Sequence, residues 1–332
     1  MSHLPDPDVA LGIEEAESVF GRILDGEVPD GDIADYLLQL TERSETSDEI
    51  AGAARALRAR LIPIEAPDDA VDCCGTGGDG HHTLNVSTAV SLVVAAAGVP
   101  VAKHGNRAAS SKAGAADTLE ALGLDMDRAG RTAQTSLDRL GICFLFAKNH
   151  HPAMGRIQPI RQKIGKRTIF NLMGPLSNPA GVRRQLIGIA RPAYVPIYAR
   201  AKAMLGTERT FIVSGDEGLD ELSLAGGNEL ADVTPFAFAM KRIEAGDAGL
   251  PNAPVEAIRG DDAKHNAAAL RALLDGAPGP YRDAVVFNAA ATLIVAGRTD
   301  DWRDGADLAS RMLESGAARR KLADWIELVE AA

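Results

Sequence analysis

Residues 74–88 read CGTGGDGHHTLNVST, four glycines around one aspartate followed by amide and hydroxyl side chains. Each glycine loses more freedom on folding than alanine would, at about 0.5–1 kcal/mol apiece. So many in one place imply a bare backbone that a ligand approaches closely. Asn85 stands where a helix N-cap is expected, and Ser87 and Thr88 fall in the first turn. A helix start presents unpaired N–H groups and a partial positive charge, which together attract an anion. Asp79 beside anions calls for a sugar hydroxyl or a metal ion.

The stretch KHGNRAASSKAGAA, residues 103–116, repeats this logic. Lys103 supplies a cation at a strand end, Arg107 and Lys112 add more, and Asn106, Ser110 and Ser111 bring hydrogen-bonding groups. Two anion loops at neighbouring strand ends predict one ligand with phosphates at both ends. Gly75, Gly77 and Gly80 also satisfy G-x-G-x-x-G, the dinucleotide fingerprint. That reading fails because HHTLN separates Gly80 from the helix, and Lys103-His104 ends the next strand where an acid would be needed for the ribose.

Other chemistry-bearing groups leave alternatives open. In SGDEGLDELS, Asp220 and Glu221 stand side by side, with Asp216 and Glu217 as competitors. The segment RIQPIRQKIGKRTIF carries Arg156, Arg161 and Arg167, and arginine is the residue suited to bidentate pairing with a carboxylate. His104 and His151 are candidates to line a pocket, and His81 and His82 read as exposed loop residues.

The elements that must position these groups follow from patterning. Residues 9–62 read as helices, with Ile33, Tyr36, Leu37 and Leu40 on one face and Ile50, Ala53, Ala54, Leu57 and Leu61 on another. From Val71 the pattern changes: AVDCC, VPVAK, GICFLFA and RTFIVSG read as strands between helical stretches. Such alternation predicts an α/β unit with a mostly parallel central sheet flanked by helices, in which ligands bind outside the carboxyl ends of the strands. Strands are also expected in FAFAMKRIEA, and the tail from His265 reads as helical. The expected organisation is a small all-helical unit over residues 1–67, completed by a segment around 165–185, and a large unit over 68–332.

Bulk properties exclude several classes. The 332 residues are 46% hydrophobic and 4% aromatic, an ordinary globular composition. A net charge of −11 speaks against a nucleic-acid groove or an anionic membrane surface as partner. Cys73, Cys74 and Cys143 show neither zinc spacing nor the density of a disulfide scaffold. The acidic N-terminus lacks a signal-peptide pattern, and apolar runs such as AVSLVVAAAGVPVA are too short to span a bilayer, so a soluble cytoplasmic protein is expected.

GTGGDG, NVST, KHGNRAASS with AADTLEALG, FNLMGPLSNPAG and GLDELS occur in one order along the chain. In that ordered set the sequence closely resembles the anthranilate phosphoribosyltransferases, within the fold group of the pyrimidine nucleoside phosphorylases. The resemblance implies a homodimer assembled through the helical unit, with phosphoribosyl pyrophosphate, anthranilate and Mg²⁺, two ions, as ligands. It places Gly75, Gly78, Asp79, Thr83, Asn85, Val86, Ser87 and Thr88 around phosphoribosyl pyrophosphate. Lys103, His104, Gly105, Asn106, Arg107, Ala108, Ala109, Ser110, Ser111 and Ala115 complete that set. By the same resemblance Asp220 and Glu221 become metal ligands with Ser87, and Gly75, Asn106 and Arg161 hold anthranilate. The departures are Lys112-Ala113-Gly114-Ala115, where serines are frequent, and LAGGNEL after the carboxylate pair. A nucleoside phosphorylase or a non-catalytic nucleic-acid-binding relative would share the fold, but NVST and the full KHGNRAASS run argue against the first and the acidic charge against the second.

Overall fold

The computed structural model describes residues 4–108, 112–235 and 237–332. Its sheet consists of β1 Val71–Gly75, β2 Val101–Gly105, β3 Ile142–Phe146, β4 Arg184–Gly188, β5 Arg209–Gly215, β6 Asn228–Val233 and β7 Phe238–Ile243. The order is β3-β2-β1-β4-β5-β6-β7. The first five strands in that order run parallel, and β6 and β7 add an antiparallel edge. In β1 the register brings Gly75 opposite Gly188 of β4, and in β2 Gly105 lies opposite Phe146 of β3. Chain order reverses between β1 and β4, so the crevice beyond Gly75 and Gly188 is a topological switch point, where open α/β sheets bind ligands.

β4 escapes the sequence patterning because RQLIG opens with two polar residues. Both are tied inward: Arg184 donates to the Val295 carbonyl at 2.9 Å, and Gln185 donates to the Pro175 carbonyl at 2.9 Å. The strand in FAFAMKRIEA proves to be the outer member of a hairpin whose inner strand, NELADV, escapes the sequence patterning as well.

Each sheet face has its own core. Helix α4, Val86–Ala96, and the C-terminal helices pack Val90, Leu92, Phe287 and Trp325 against Phe144 and Phe211 on one face. On the other, α1 Ile13–Asp25, α2 Asp30–Arg43 and α3 Ser47–Arg58 bury Phe20, Ile33, Leu37, Leu40 and Ile50. The apolar faces expected on the N-terminal helices are buried, apart from Leu61, which lies beyond the end of α3 and is half-exposed. Helix α3 is capped by Thr46 rather than by the following Ser-Asp: Thr46 Oγ1 accepts from the Glu49 N–H at 3.2 Å, and Glu49 accepts from the Thr46 N–H at 2.8 Å. The chain returns to this second core at Ile157, Ile160, Ile169, Phe170 and Leu176. Arg58 ties the helices to that returning segment by donating to the Leu176 carbonyl at 2.6 Å. Among the described residues, no helix is long and apolar enough to cross a membrane.

One buried cation lies apart from the sheet's ligand-binding edge. Lys202 is fully buried and donates to Gln185 Oε1 at 2.5 Å. Burial lowers its pKa to about 7, whereas an unfolded lysine keeps its proton to about 10.4. Between those values the unfolded chain binds the extra proton, so the part of stability due to Lys202 rises with pH. Lys202→Met is therefore expected to stabilise the fold near neutral pH by about 1–3 kcal/mol, and the gain should shrink at pH 9. Urea midpoints of both proteins at pH 6.5 and pH 9 check this; a gain independent of pH would show that Lys202 is not the titrating group.

Candidate active site

The glycine loop leaves β1 at Gly75 and crosses the switch point. Its conformation depends on the Leu219–Glu221 turn, which lies directly over the ends of β1 and β4. A methyl group on Gly75 would overlap the Asp220 carboxylate, and one on Gly188 would overlap the Asp220 backbone. Both strands must therefore end in glycine to admit the acidic turn. Asp220 Oδ2 accepts from the Gly77 N–H at 2.6 Å, and the Asp79 carboxylate accepts from the His81 N–H at 3.0 Å.

Three carboxylates converge here. Burial, then the charges of Asp79 and Glu221, raise the Asp220 pKa far above the ordinary range. Burial also pushes Glu221 up to about 7, against the opposing pull of Lys103. Acids crowded together in this way keep their protons to higher pH unless a cation offsets their charge. Their donor set is all hard oxygen, with Ser87 at the start of α4 adjacent: its N–H serves Glu221 and its Oγ accepts from Lys103 Nζ at 3.1 Å. Among the described residues no group of three or more His, Cys, Asp or Glu side chains closes into a metal cage. Mg²⁺ takes one or two carboxylates and fills its remaining positions with water and substrate phosphates, a demand that the adjacent Asp220 and Glu221 can meet. The residues present fit that ion.

Lys103 is buried in the middle of β2 rather than at its end, and its ammonium donates to the Cys73 carbonyl at 2.8 Å as well as to Ser87. It thus joins the two loops. The other loop cations are engaged elsewhere: Arg107 pairs with Asp117 and Glu120, each at 2.8 Å, and Lys112 pairs with Asp261 at 2.6 Å. Asn85 does not cap α4. Its Oδ1 instead accepts from Thr118 Oγ1 at 2.6 Å and Asn266 Nδ2 at 2.9 Å, which bolts the two loops to the C-terminal helices. Val86 is buried in the core, and the Thr88 hydroxyl is buried with no hydrogen-bond partner among the described residues. Thr83 bridges to Arg259, and Ala115 opens helix α5, Ala115–Ala121, beside Gly105. Gly78, Asn106 and Ala108 lie on the loops as expected, while Ala109, Ser110 and Ser111 fall outside the described residues.

His104 is more deeply set than its place in the motif implied. Its Nδ1 faces the Gly174 carbonyl at 3.1 Å, and its Nε2 faces His151 Nε2 at 3.2 Å. A carbonyl only accepts, so His104 Nδ1 carries the proton and His151 donates through Nε2. Burial lowers the pKa values to about 4 and about 3 respectively, leaving a neutral pair. Of the two loop histidines, His81 is half-buried, with Nε2 3.2 Å from the Glu217 carbonyl, and only His82 is exposed. Arg161 is half-buried, and its guanidinium makes no hydrogen bond or ion pair with a described residue; burial, then the charge of Arg167, lowers its pKa.

Sequence reasoning missed Asp72 and Asn178. Asp72 is fully buried in β1, accepting from the His104 N–H at 3.2 Å and from Asn178 Nδ2 at 2.8 Å. It thereby binds the second loop's entry to the NLMGPLSNPAG segment. The signal was a charge inside the apolar run AVDCC.

The class this geometry defines is an α/β protein with a helical unit packed on one sheet face and a glycine loop, a carboxylate turn and a buried lysine gathered at the switch point. Models of a glycosyl transferase family match residues 67–319 as its a/b domain and residues 9–61 as its helical bundle domain, and the chain belongs to that family. Within it, the chain is 75% identical over 328 residues to an anthranilate phosphoribosyltransferase of Erythrobacter litoralis, covering 99% of both chains. A crystal structure of the anthranilate phosphoribosyltransferase from Thermus thermophilus superposes with a TM-score of 0.92 at 40% identity, covering 97% of each chain. The Saccharomyces cerevisiae enzyme in complex with PRPP and Mg superposes at 0.87 and 28% identity, covering 96% of this chain and 93% of that one.

Proposed function

We propose that this protein transfers the 5-phosphoribosyl group from phosphoribosyl pyrophosphate to the amine of anthranilate, releasing pyrophosphate. The observation that carries the reading is the carboxylate turn of Asp220 and Glu221, set over the glycine loop within reach of Lys103 through Ser87. In this reading the glycine loop and the start of α4 hold the donor from one side, and Lys103 to Ala108 hold it from the other. The reacting C1–O bond breaks toward an oxocarbenium-like carbon while negative charge gathers on the departing pyrophosphate. Positioning and fixed electrostatics carry most of such a step. Mg²⁺, held by Asp220, Glu221 and Ser87, would neutralise that growing charge, and the reading assigns two such ions.

Anthranilate's amine is neutral at pH 7 and attacks without a strong base. Arg161 grips its carboxylate, and Asn106 and the Gly75 backbone complete the acceptor site. In the same reading the acceptor site lies at the seam where the helical unit, residues 1–67 with the segment around 165–185, meets the 68–332 unit. Closure there would exclude water, whose attack on the ribosyl carbon is the natural side reaction. A homodimer formed through the helical unit, working in the cytoplasm, belongs to the same reading.

The test is the Mg²⁺-dependent loss of anthranilate fluorescence when phosphoribosyl pyrophosphate is added; its absence ends the proposal. With Arg161→Ala, the KM for anthranilate is expected to rise about 30–100-fold, as for loss of one partner of a desolvated charge pair. The KM for phosphoribosyl pyrophosphate should stay within about twofold. Equal rises in both would mean that Arg161 does not hold the acceptor.

A further inference from the structure

The Gly77 peptide is gripped from two directions. Its N–H is held by Asp220, at 2.6 Å, and its carbonyl accepts from Arg167 Nη1. Arg167 comes from the far side of the seam: it adjoins Thr168 and Ile169, which are buried with the N-terminal helices, and it lines a pocket with Glu45, Arg191 and Tyr194. It makes no salt bridge among the described residues, although Asp220, Asp79 and Glu45 all act on its charge. The guanidinium also occupies the space where a side chain on Gly78 would stand.

These contacts set a problem for the loop. A divalent cation on the Asp220 carboxylate draws charge from the oxygen that serves the Gly77 N–H and so weakens that bond. Something else must keep the loop in place as that bond weakens. We propose that Arg167 is the positioning residue of the glycine loop, holding it through the Gly77 carbonyl so that it keeps its shape when the Asp220 carboxylate is drawn to the metal. The latch also makes the loop's position depend on the segment that carries Arg161, which Arg167 faces charge to charge. Donor and acceptor sides are thereby mechanically joined. This role rests on the donor site proposed above, but its test does not, because it is read on the free protein.

Hydrogen–deuterium exchange over residues 75–80, measured without substrate, is the direct readout. Arg167→Gln keeps a donor but shortens the side chain so that it stops short of the Gly77 carbonyl, and exchange in the loop is expected to rise about tenfold. Arg167→Lys, which can still donate, should restore much of the protection. Gly77 and Gly78 both have positive φ, 68° and 72°, so alanine strains either position alike. A Cβ on Gly77 meets nothing within 4 Å, whereas one on Gly78 collides with Arg167. Gly78→Ala should therefore loosen the loop more than Gly77→Ala, and the excess should vanish in the Arg167→Gln background. With donor and Mg²⁺, Arg167→Gln should raise the KM for phosphoribosyl pyrophosphate at least fivefold (about 1 kcal/mol) with a smaller change in kcat. Unchanged loop exchange in Arg167→Gln, or equal effects of the two alanines in wild type, would overturn the proposal. A protein that shows the exchange effect but binds no phosphoribosyl pyrophosphate would keep the latch and refute the donor site.

Discussion

Exchanging Asp220 and Glu221 together for asparagine and glutamine is expected to lower kcat/KM by about 10²–10³ and to abolish the magnesium optimum. The two side chains are close in size to those they replace, so the turn over Gly75 and Gly188 should keep its shape. Their charge is what is removed. The asparagine amide retains an oxygen for the Gly77 N–H, which the Asp220 carboxylate holds at 2.6 Å, so the loop itself need not open. The cation loses its anionic donors, and nothing then offsets the charge on the departing pyrophosphate. Binding of Mn²⁺ in the presence of phosphoribosyl pyrophosphate, followed by electron paramagnetic resonance, separates metal loss from misfolding. A magnesium optimum unchanged from wild type would place the metal elsewhere.

Lys103→Met is expected to reduce kcat/KM by about a thousandfold. Lys103 is 2% exposed, and its ammonium joins the Cys73 carbonyl in the middle of β1 to the Ser87 hydroxyl at the start of α4. Methionine fills the volume but offers no charge. Two buried carboxylates depend on that charge, because Lys103 pulls down the pKa values of both Asp72 and Glu221. Without it, Glu221 moves above its present value of about 7, and protons compete with the metal to higher pH. The variant's residual activity should therefore peak at more alkaline pH than wild type, in addition to its loss of rate. A pH–rate profile with an unmoved acidic limb would show that Lys103 and Glu221 are not coupled.

The parts of this site that are readable along the chain are those whose chemistry is local. A glycine loop ahead of a helix, a cation at a strand end and two adjacent acids each announce themselves within a few residues. What resists reading depends on who faces whom. Asn85 has the neighbours of a helix cap, yet its amide is drawn off by Thr118 and Asn266, which lie 33 and 181 residues away. Arg107 and Lys112 resemble phosphate ligands by proximity to Lys103, but Asp117, Glu120 and Asp261 supply nearer charges. Strand β4 is hidden because Arg184 and Gln185 break the apolar run that marks a buried strand, and their partners come from other segments.

By itself, the sequence determined the helical face that starts the chain, the strand–helix alternation after Val71, and the presence of two backbone-rich turns next to a cation. Period and composition act over a few residues and carry that information intact. Only the tertiary structure decided that the Asp220 turn sits on Gly75 and Gly188, that Arg167 reaches Gly77, and that Asp72 and Lys103 share one buried network. Those choices are made when burial strips water from charged groups, for each must then find a partner in space, wherever along the chain that partner lies.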